Sequence, residues 1–347
     1  MKPCIFILII TFSVSCAIND LPEDPLDYFE GPPVLLEPIN TITPDKPILL
    51  TGGIKIINDS IGVLKTDKSE KHLTFVNLKT GKVLKEMITT GSGPGEVSLV
   101  RFCPQPDKEK LWLFDPNLRT VFNVDYNQAM IDDKYMIKPI AKLDNFAAVL
   151  IHIDTFFVTS FHPGLDNRFQ IFDLKGSRIN VCMNYNKIDK YKSIPDGVYS
   201  TVFQGSYTVH PNEEKFVFST ISSGCVQIFN FNSGEITLNK DLTFNNPLLR
   251  HSGNRYVNDR NAILSCLDIE GNEKYFYILY FGKTIVEYLK TPVCQHLLVF
   301  DWGGNPVRRY EFKEPITLFS IDSTGEKLYG VVETPETTVI LQYDLNV

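Results

Sequence analysis

"HLTFVNLKTGKVLKEM", residues 72–87, alternates apolar and polar side chains on either side of a short turn that contains Asn77 and Gly81. Two such runs joined by a tight turn predict a β-hairpin. The pattern recurs at five further places, which are residues 110–126, 168–182, 225–242, 296–312 and 338–347. A hairpin repeated along a chain indicates a fold built from similar sheets that bury their apolar faces against one another.

A further apolar strand precedes the hairpins, for example at residues 156–162, 215–221, 275–281 and 327–333. The repeating unit therefore contains about four strands. Six such units in roughly 310 residues predict an all-β, six-bladed β-propeller with four-stranded antiparallel blades. A large β-sandwich or two smaller β domains is the alternative. We expect positive φ angles at the glycines of the turns, which are Gly81, Gly176, Gly234 and Gly304.

The last unit has only three strands before the chain ends at Val347. Near the other end, "VLLEPINTIT" at residues 34–43 reads as a strand that has no unit of its own. We predict that residues 34–43 pair with residues 337–345 as the outer strand of the last blade, because this closes the ring and covers an exposed sheet edge. The best helix candidate is the short segment 127–138.

The glycine-rich stretch "GSGPGE" lies between the outer strand of the first unit and the inner strand of the second. It lacks the Gly-Lys-Ser/Thr and the following helix of a phosphate-binding loop. We predict a structural crossover between two blades, with a ligand contact as the alternative. Glu96 is expected to accept backbone hydrogen bonds, or to pair with Arg101 or Arg119. The crossover residues are Gly91, Gly93, Pro94, Gly95 and Glu96.

The stretch "LTFVNLKTGKVLKEMITT", the loop "GSGPGEVSLVRFCP" and the hairpin "KLWLFDPNLRTVFNVD" together resemble the TolB-like six-bladed β-propeller lipoproteins of Bacteroidetes. Those proteins are distantly related to propellers built from NHL repeats. The resemblance covers about residues 50–126 and extends more weakly to the end of the chain. It implies the propeller fold and export, and it says little about activity.

The first residues, "MKPCIFILIITFSVSC", combine Lys2 with a short apolar run and small residues before Cys16. This layout is typical of a secretory signal at residues 1–15, although a buried N-terminal strand is the alternative. It resembles a bacterial lipoprotein signal, which implies cleavage before Cys16 and lipid on its sulfur. Ser13 stands where such signals usually have leucine. The resemblance implies a lipoprotein of the cell envelope, held on the outer membrane by its N-terminal lipid.

Residues 16–33 are acidic and rich in proline, and we predict that they form a tether to a propeller spanning residues 34–347. The net charge is −7, which offers no attraction to nucleic acid. Five cysteines lie after Cys16, and none forms a CxxC pair. Neither a disulfide framework nor a zinc site is therefore expected, and the six histidines show no metal-binding spacing. We expect no metal and no cofactor.

Three predicted loops combine aromatic and basic side chains, at residues 161–169, 191–207 and 246–261. Such groups suit sugars, peptides or anions at the mouth of a propeller. The residues predicted to contact a ligand are Arg250, His251, Arg255 and Tyr256, followed by Arg168 and Tyr199.

These features predict an exported module that binds a ligand or another protein, with a glycan, a peptide or an envelope protein as partner. The alternative is a lyase or hydrolase that acts on a glycan or an ester in the central funnel. Such an enzyme needs at least two titratable groups with shifted pKa values in one pocket. No catalytic residue is assigned, because the G-x-S-x-G pattern of a nucleophile elbow does not occur. A scaffold within an envelope complex is the third possibility, and it requires an exposed apolar patch.

Overall fold

The computed structural model describes residues 22, 24–66, 69–93, 95–104, 110–160, 167–185, 187–200, 203–212, 214–252 and 255–345. Within these ranges the chain forms six antiparallel sheets arranged as blades, each with four strands taken in order from the inside of the ring outwards. The fifth blade carries one additional strand at its outer edge. The predicted six-bladed propeller is therefore confirmed.

The first three blades are continuous in sequence. Blade 1 contains Thr51–Asn58, Ile61–Thr66, Lys71–Asn77 and Val83–Thr89. Blade 2 contains Arg101–Phe102, Leu111–Asp115, Thr120–Val124 and Lys138–Lys142. Blade 3 contains Val149–Ile153, Phe156–Ser160, Phe169–Asp173 and Arg178–Cys182.

The other three blades include the strands that close the ring. Blade 4 contains Gly205–Val209, Lys215–Thr220, Cys225–Asn232 and Glu235–Thr243. Blade 5 contains Ile263–Gly271, Tyr275–Thr284, Cys294–Asp301, Pro306–Ile316 and the edge strand Val34–Leu36. Blade 6 contains Leu318–Ile321, Lys327–Glu333, Thr338–Asp344 and Asn40–Ile42.

Several short elements connect the strands and the blades. Leu249–Ser252 and Arg255–Asn258 form a separate hairpin between blades 4 and 5. The helical segments are Pro25–Tyr28, Tyr126–Ile131, Asp189–Tyr191, Asp196–Tyr199 and Ile285–Tyr288. The helix predicted at 127–138 exists but is shorter. It begins after the N-cap Asp125, whose side chain accepts the Gln128 amide, and it ends at Ile131.

The N-terminal segment closes the ring by joining two blades. Asn40–Ile42 pairs antiparallel with Thr338–Asp344, with Thr41 opposite Leu341, as predicted for this part of the chain. Val34–Leu36 does not share that partner. It runs parallel to the outer strand of blade 5 instead. The predicted single strand is divided at Pro38, because proline has no amide hydrogen with which to continue a ladder.

Blade 2 differs from the prediction in the position of its turn. The turn around Asn117 joins the second and third strands, whereas the hairpins at residues 72–87, 168–182, 225–242 and 296–312 join the third and fourth. The inner strand of this blade is only Arg101–Phe102, too short to give an alternating pattern in the sequence. Its outer strand, Lys138–Lys142, follows the helix and pairs with the third strand.

The hydrophobic core is a ring of six clusters, and each cluster lies between two neighbouring blades. Turn glycines connect the blades further out. Gly81 and Gly176 have φ angles of 72° and 92°, and their carbonyl oxygens accept the amides of Asp45 and Asp144 from the preceding blade. A Cβ at either glycine would collide with backbone of that blade. All four predicted turn glycines have positive φ angles.

Residues 24–29 belong to the folded body, which differs from the predicted tether over residues 16–33. Phe29 is buried in the cluster between blades 4 and 5, with its ring centroid 5.1 Å from that of Phe300. Tyr280 donates a hydrogen bond of 3.1 Å to Asp24. The aromatic side chains of this segment therefore cover the outer end of an interblade cluster.

Candidate functional site

The inner strands of the blades surround a cavity of about 460 Å³ on the axis of the ring, here called the axial cavity. Each blade contributes to its lining, with Gly53, Arg101, Val149, Ser206, Asp268 and Leu318 as one residue from each. Most of these residues lie near the start of an inner strand, so the cavity adjoins the face that carries the crossovers from blade to blade. A narrower space of about 130 Å³ continues towards the opposite face, and Lys55, Tyr207 and Glu270 line both.

Glu270 connects three blades at the wall of the axial cavity. It projects from the inner strand of blade 5 and forms an ion pair with Lys55 of blade 1. Its second oxygen, Oε2, accepts hydrogen bonds of 3.0 Å from the Ser320 hydroxyl and from the Ile321 amide, both in blade 6. The buried carboxylate is thus fully engaged by a cation and two neutral donors, as a buried charge requires.

Asp268 lies two residues before Glu270, and both carboxylates therefore project from the same side of the strand. Its pKa is raised to about 7, first by burial and second by the neighbouring Glu270 carboxylate. Lys55 and backbone amides, including that of Ile269 at 2.9 Å, act in the opposite direction. Asp268 therefore changes its charge near neutral pH, inside the cavity.

Basic and aromatic side chains complete the wall. Lys65 and Arg101 line the cavity together with the rings of Phe102 and Tyr207. The Tyr207 hydroxyl donates a hydrogen bond of 2.5 Å to Ser160, and burial raises its pKa to about 12. The Phe102 ring packs closely on Gly53, where a Cβ would approach the ring to 3.0 Å. The site combines charges of both signs with apolar ring faces.

The first group of predicted ligand residues comes together on one hairpin. Arg250 and His251 lie on its first strand, and Arg255 and Tyr256 lie on its second. His251 is directly opposite Tyr256, with ring centroids 4.1 Å apart. Tyr256 packs against the cluster between blades 3 and 4, while Arg250 and His251 are exposed. The described lining of the axial cavity does not include Arg250, His251 or Tyr256.

The second group, Arg168 and Tyr199, is buried in the cluster between blades 3 and 4. The Arg168 guanidinium lies 4.6 to 5.9 Å from the centroids of five aromatic rings and donates to the Gln227 side chain at 2.6 Å. Tyr199 stacks on Phe203 at 5.5 Å. These contacts hold both side chains in the interior of the protein, and a ligand contact by either residue stays a prediction.

The glycine-rich loop lies between the outer strand of blade 1 and the inner strand of blade 2. The Glu96 carboxylate accepts the Gly93 amide at 2.9 Å, and a Cβ at Gly91 would collide with that carboxylate. Gly95 has a φ of 80°. Pro94 lies outside the described residues, as do the signal segment 1–15 and Cys16.

The described parts of the chain contain neither a metal-binding cluster nor a helix that could span a membrane. No three histidine, cysteine or acidic side chains there come together to hold a metal ion. The cysteines after Cys16 are all free. Four of them are buried, and Cys182 is half-buried. No helix in the described ranges is both long and apolar enough to cross a bilayer.

The sequence patterns did not reveal the axial cavity. Its one local signal is the pair of acidic residues in "CLDIEG", residues 266–271, where two carboxylates at alternate positions interrupt an otherwise apolar strand. Residues at alternate positions of a strand face the same side of the sheet, and both of these carboxylates line the axial cavity. Lys55 gives no comparable signal, because a single lysine in a strand most often points to solvent.

Comparisons with known proteins agree with this architecture. The family model described as "TolB-like 6-blade propeller-like" matches residues 48–324. No protein of curated function matches the sequence.

Two solved structures illustrate the likeness. One, from Bacteroides fragilis NCTC 9343 and assigned as exported, is 15% identical with a TM-score of 0.56, and the match covers 89% of this chain and 94% of that protein. A DUF4221 family member from Bacteroides vulgatus is 10% identical with a TM-score of 0.55, covering 89% and 97%. Identities this low establish the fold alone. The match to the family model spans most of the chain, which therefore belongs to the TolB-like six-bladed propeller family.

Proposed function

We propose that this protein is an exported binding module whose ligand site is the axial cavity. One observation carries the proposal: Lys55, Asp268 and Glu270 meet beside aromatic rings in a cavity of about 460 Å³. Binding sites for small molecules usually have about 300 to 1,000 Å³ and combine apolar walls with a few convergent polar groups. A small polar ligand, such as one or two sugar units or a short peptide, fits this size.

Export and membrane attachment belong to the same proposal. They are supported by the signal pattern at residues 1–15, by Cys16 after it, and by the likeness to a Bacteroides protein assigned as exported. We propose that lipid on Cys16 holds the protein at the outer membrane. Metabolic labelling with a fatty acid should mark the wild type and not Cys16→Ala. Equal labelling of both would contradict the lipid anchor.

A thermal-shift screen against neutral glycans, acidic glycans, peptides and metal ions tests the proposed site. The protein would be used from Cys16 onwards. A ligand that binds only the folded state raises its stability according to its concentration and dissociation constant. Ser206→Trp, which fills the axial cavity, should abolish the shift given by any ligand found. Arg250→Ala combined with His251→Ala should leave that shift unchanged.

The two variants distinguish the cavity from the hairpin. If the hairpin double variant loses binding while Ser206→Trp retains it, the ligand site is the one predicted from the sequence, and the axial proposal is wrong. The unliganded melting temperature of each variant serves as the control for folding.

A second candidate function is a lyase or hydrolase that acts on a glycan or an ester in the same cavity. It is favoured by the pKa of Asp268, which at about 7 suits a general acid or base at neutral pH. Mass spectrometry of glycans and esters incubated with the protein would reveal turnover. An enzyme should lose turnover in Asp268→Asn while it still binds substrate. If every substrate stays unchanged, the enzyme function is contradicted and binding is the function that remains.

A further inference from the structure

We infer that residues 283–293 of blade 5, here called the docking loop, rest on an anionic phospholipid bilayer, with a lipid head group in the pocket of the loop and Leu289 among the acyl chains. This inference rests on the membrane anchor proposed above and adds the surface with which the folded body meets the bilayer. Three observations carry it: where the N-terminal segment is held, which side chains the loop exposes, and what lines its pocket.

The N-terminal segment limits which side of the propeller lies near the bilayer. Asp24 is held at blade 5, where it accepts the Tyr280 hydroxyl at 3.1 Å, and Arg309 donates to the Leu26 carbonyl at 3.0 Å. Asp24 is the eighth residue after Cys16. Because a fully extended chain of that length spans about 28 Å, a lipid on Cys16 keeps Asp24 within about that distance of the bilayer. The anchor therefore favours blade 5 as the membrane side over blade 2, which lies opposite it in the ring.

The docking loop begins beside the point where Asp24 is held. Lys283 follows Tyr280 by three residues on the second strand of blade 5, which is about 10 Å along an extended chain. Burial lowers the pKa of His296, and the charges of Asp24 and Lys283 act on that pKa in opposite directions, so both groups lie near this ring. The loop and the start of the folded N-terminal segment are therefore on the same side of blade 5.

The loop holds apolar side chains out in solvent. Leu289 is 76% exposed and Val286 is 37% exposed, and both belong to or directly follow the short helix Ile285–Tyr288. This helix is fixed to the blade, because its last residue packs edge-on against Phe281 with ring centroids 5.4 Å apart. An exposed leucine gains free energy when it enters an apolar phase. Leu289 is thus in place to enter the boundary between head groups and acyl chains.

A pocket of about 380 Å³ opens at the docking loop. Lys283, Lys290, Thr291 and Gln295 line it, and all four side chains can donate hydrogen bonds. Both lysines are exposed, and neither forms an ion pair with any described residue. Cationic and neutral donors around one open pocket suit the phosphate and the polar alcohol of a lipid head group.

One carboxylate reduces the positive charge of this pocket. Glu287 also lines it, and its Oε2 accepts the Thr284 amide and hydroxyl at 2.9 and 2.8 Å. The two lysines leave an excess of one positive charge, which favours an anionic over a zwitterionic head group. The exposed Leu289 favours a bilayer over a free phosphate, because a dissolved ion offers no apolar phase to a leucine. Charge and apolar exposure together therefore indicate a lipid surface.

Co-sedimentation with vesicles tests the docking loop. The protein from Cys16 onwards is used without lipid, so that only its folded surface can bind. We expect at least about tenfold stronger partitioning to vesicles with about one third phosphatidylglycerol than to pure phosphatidylcholine. Lys283→Gln combined with Lys290→Gln should lower partitioning to the anionic vesicles by about tenfold or more. Lys134→Gln combined with Lys175→Gln, at exposed positions of blades 2 and 3, should leave it unchanged.

Leu289→Glu and Ile131→Glu form a matched apolar pair, because both side chains are exposed and Ile131 lies on blade 2. Leu289→Glu should lower partitioning to the anionic vesicles by about tenfold, and Ile131→Glu should not. A polarity-sensitive fluorophore on Leu289→Cys should shift to shorter wavelength on these vesicles, whereas the same label on Ile131→Cys should not. Both labelled variants also carry Cys16→Ala and Cys182→Ser. The melting temperature of each variant without vesicles is the control for folding.

Several results would overturn the docking loop. They are equal partitioning to both kinds of vesicle, no binding of the wild type, equal losses in loop and control variants, an unshifted label at position 289, and displacement of the protein from vesicles by soluble glycerol 3-phosphate. The membrane anchor is read separately, by fatty-acid labelling of Cys16. Labelling without vesicle binding leaves the anchor and contradicts the loop, whereas vesicle binding without labelling supports the loop and contradicts the anchor.

Discussion

Two carboxylates on one strand show how single residues acquire different properties from their surroundings. Glu270 is surrounded by a cation and two hydrogen-bond donors, which compensate its charge. Asp268, two residues earlier, is half-buried and lacks the same set of donors, and its pKa rises to about 7. The difference arises from the hydrogen-bond donors that each carboxylate meets, since the strand, the chemical group and the neighbouring blades 1 and 6 are the same.

Replacement of Asp268 by asparagine should change how stability depends on pH. Unfolded aspartate titrates near 4 and the folded group near 7, so the folded state binds the proton more tightly. The free energy of unfolding contributed by this group therefore falls as the pH rises from about 4 to about 7, by roughly 2 to 4 kcal/mol. In Asp268→Asn the free energy of unfolding should not fall in this way, so the variant should be more stable than the wild type at pH 8. Urea unfolding at pH 5, 6, 7 and 8 measures the difference.

Asp133→Asn is the matched control for that series. The Asp133 side chain is fully exposed, so its replacement should leave the pH profile parallel to that of the wild type. An Asp268→Asn profile that also runs parallel to the wild type would contradict the raised pKa.

At the scale of an element, the crossover from blade 1 to blade 2 depends on close contact between a carboxylate and glycine backbone. The Glu96 side chain turns back over the loop and accepts the Gly93 amide. The strand before the loop contains Ile88 at a φ of 67°, a conformation that β-branched residues rarely adopt. The chain thus turns sharply within a few residues, and the glycines leave room for the carboxylate that fixes the turn.

Gly91→Ala should destabilise the protein through Glu96. The added methyl group displaces the carboxylate from the Gly93 amide, and loss of a hydrogen bond to a charged group costs about 1.5 to 3 kcal/mol. In a Glu96→Ala background the same substitution should cost much less, because nothing remains to be displaced. Urea unfolding of both single variants and the double variant gives the coupling energy. Additive losses would show that Gly91 has another role.

These elements could be predicted from local sequence patterns, whereas the candidate site could not. The alternation of apolar and polar side chains and the turns that contain glycine or asparagine are patterns of about ten residues. The strands, the number of blades and the closing strand could therefore be predicted from the sequence. Blade 2 was misread where its inner strand is too short to alternate. Lys55 and Glu270 are 215 positions apart, and only the closed ring brings them together. No local pattern contains that information.

On the scale of the whole molecule, stability is distributed around a ring. Each of the six interblade clusters contains side chains from two neighbouring blades, so no blade buries its apolar faces alone. The cluster between blades 6 and 1 includes Ile42 of the N-terminal closing strand together with Ile54 and Ile340. Closure is therefore a packing contact as well as a set of backbone hydrogen bonds.

Ile42→Ala should weaken this closure. Truncation of a buried isoleucine costs about 2 to 5 kcal/mol, and Ile42 is 3% exposed. Thr41→Ala, on the exposed side of the same strand, should change stability by less than about 0.5 kcal/mol. Thermal and urea unfolding of the two variants measure this contrast. Similar losses from both would mean that the backbone ladder, and not the packing of Ile42, secures the ring.

The pairing of Thr41 with Leu341 also has a consequence for biosynthesis. A chain made from its amino end presents Asn40–Ile42 long before Thr338–Asp344, so this strand cannot pair until the residues between them have been made. Contacts between such distant parts of a chain form slowly. Ring closure is thus a late step of folding, since a nascent chain that has not reached Thr338–Asp344 keeps Asn40–Ile42 as an unpaired strand that proteases and chaperones can recognise.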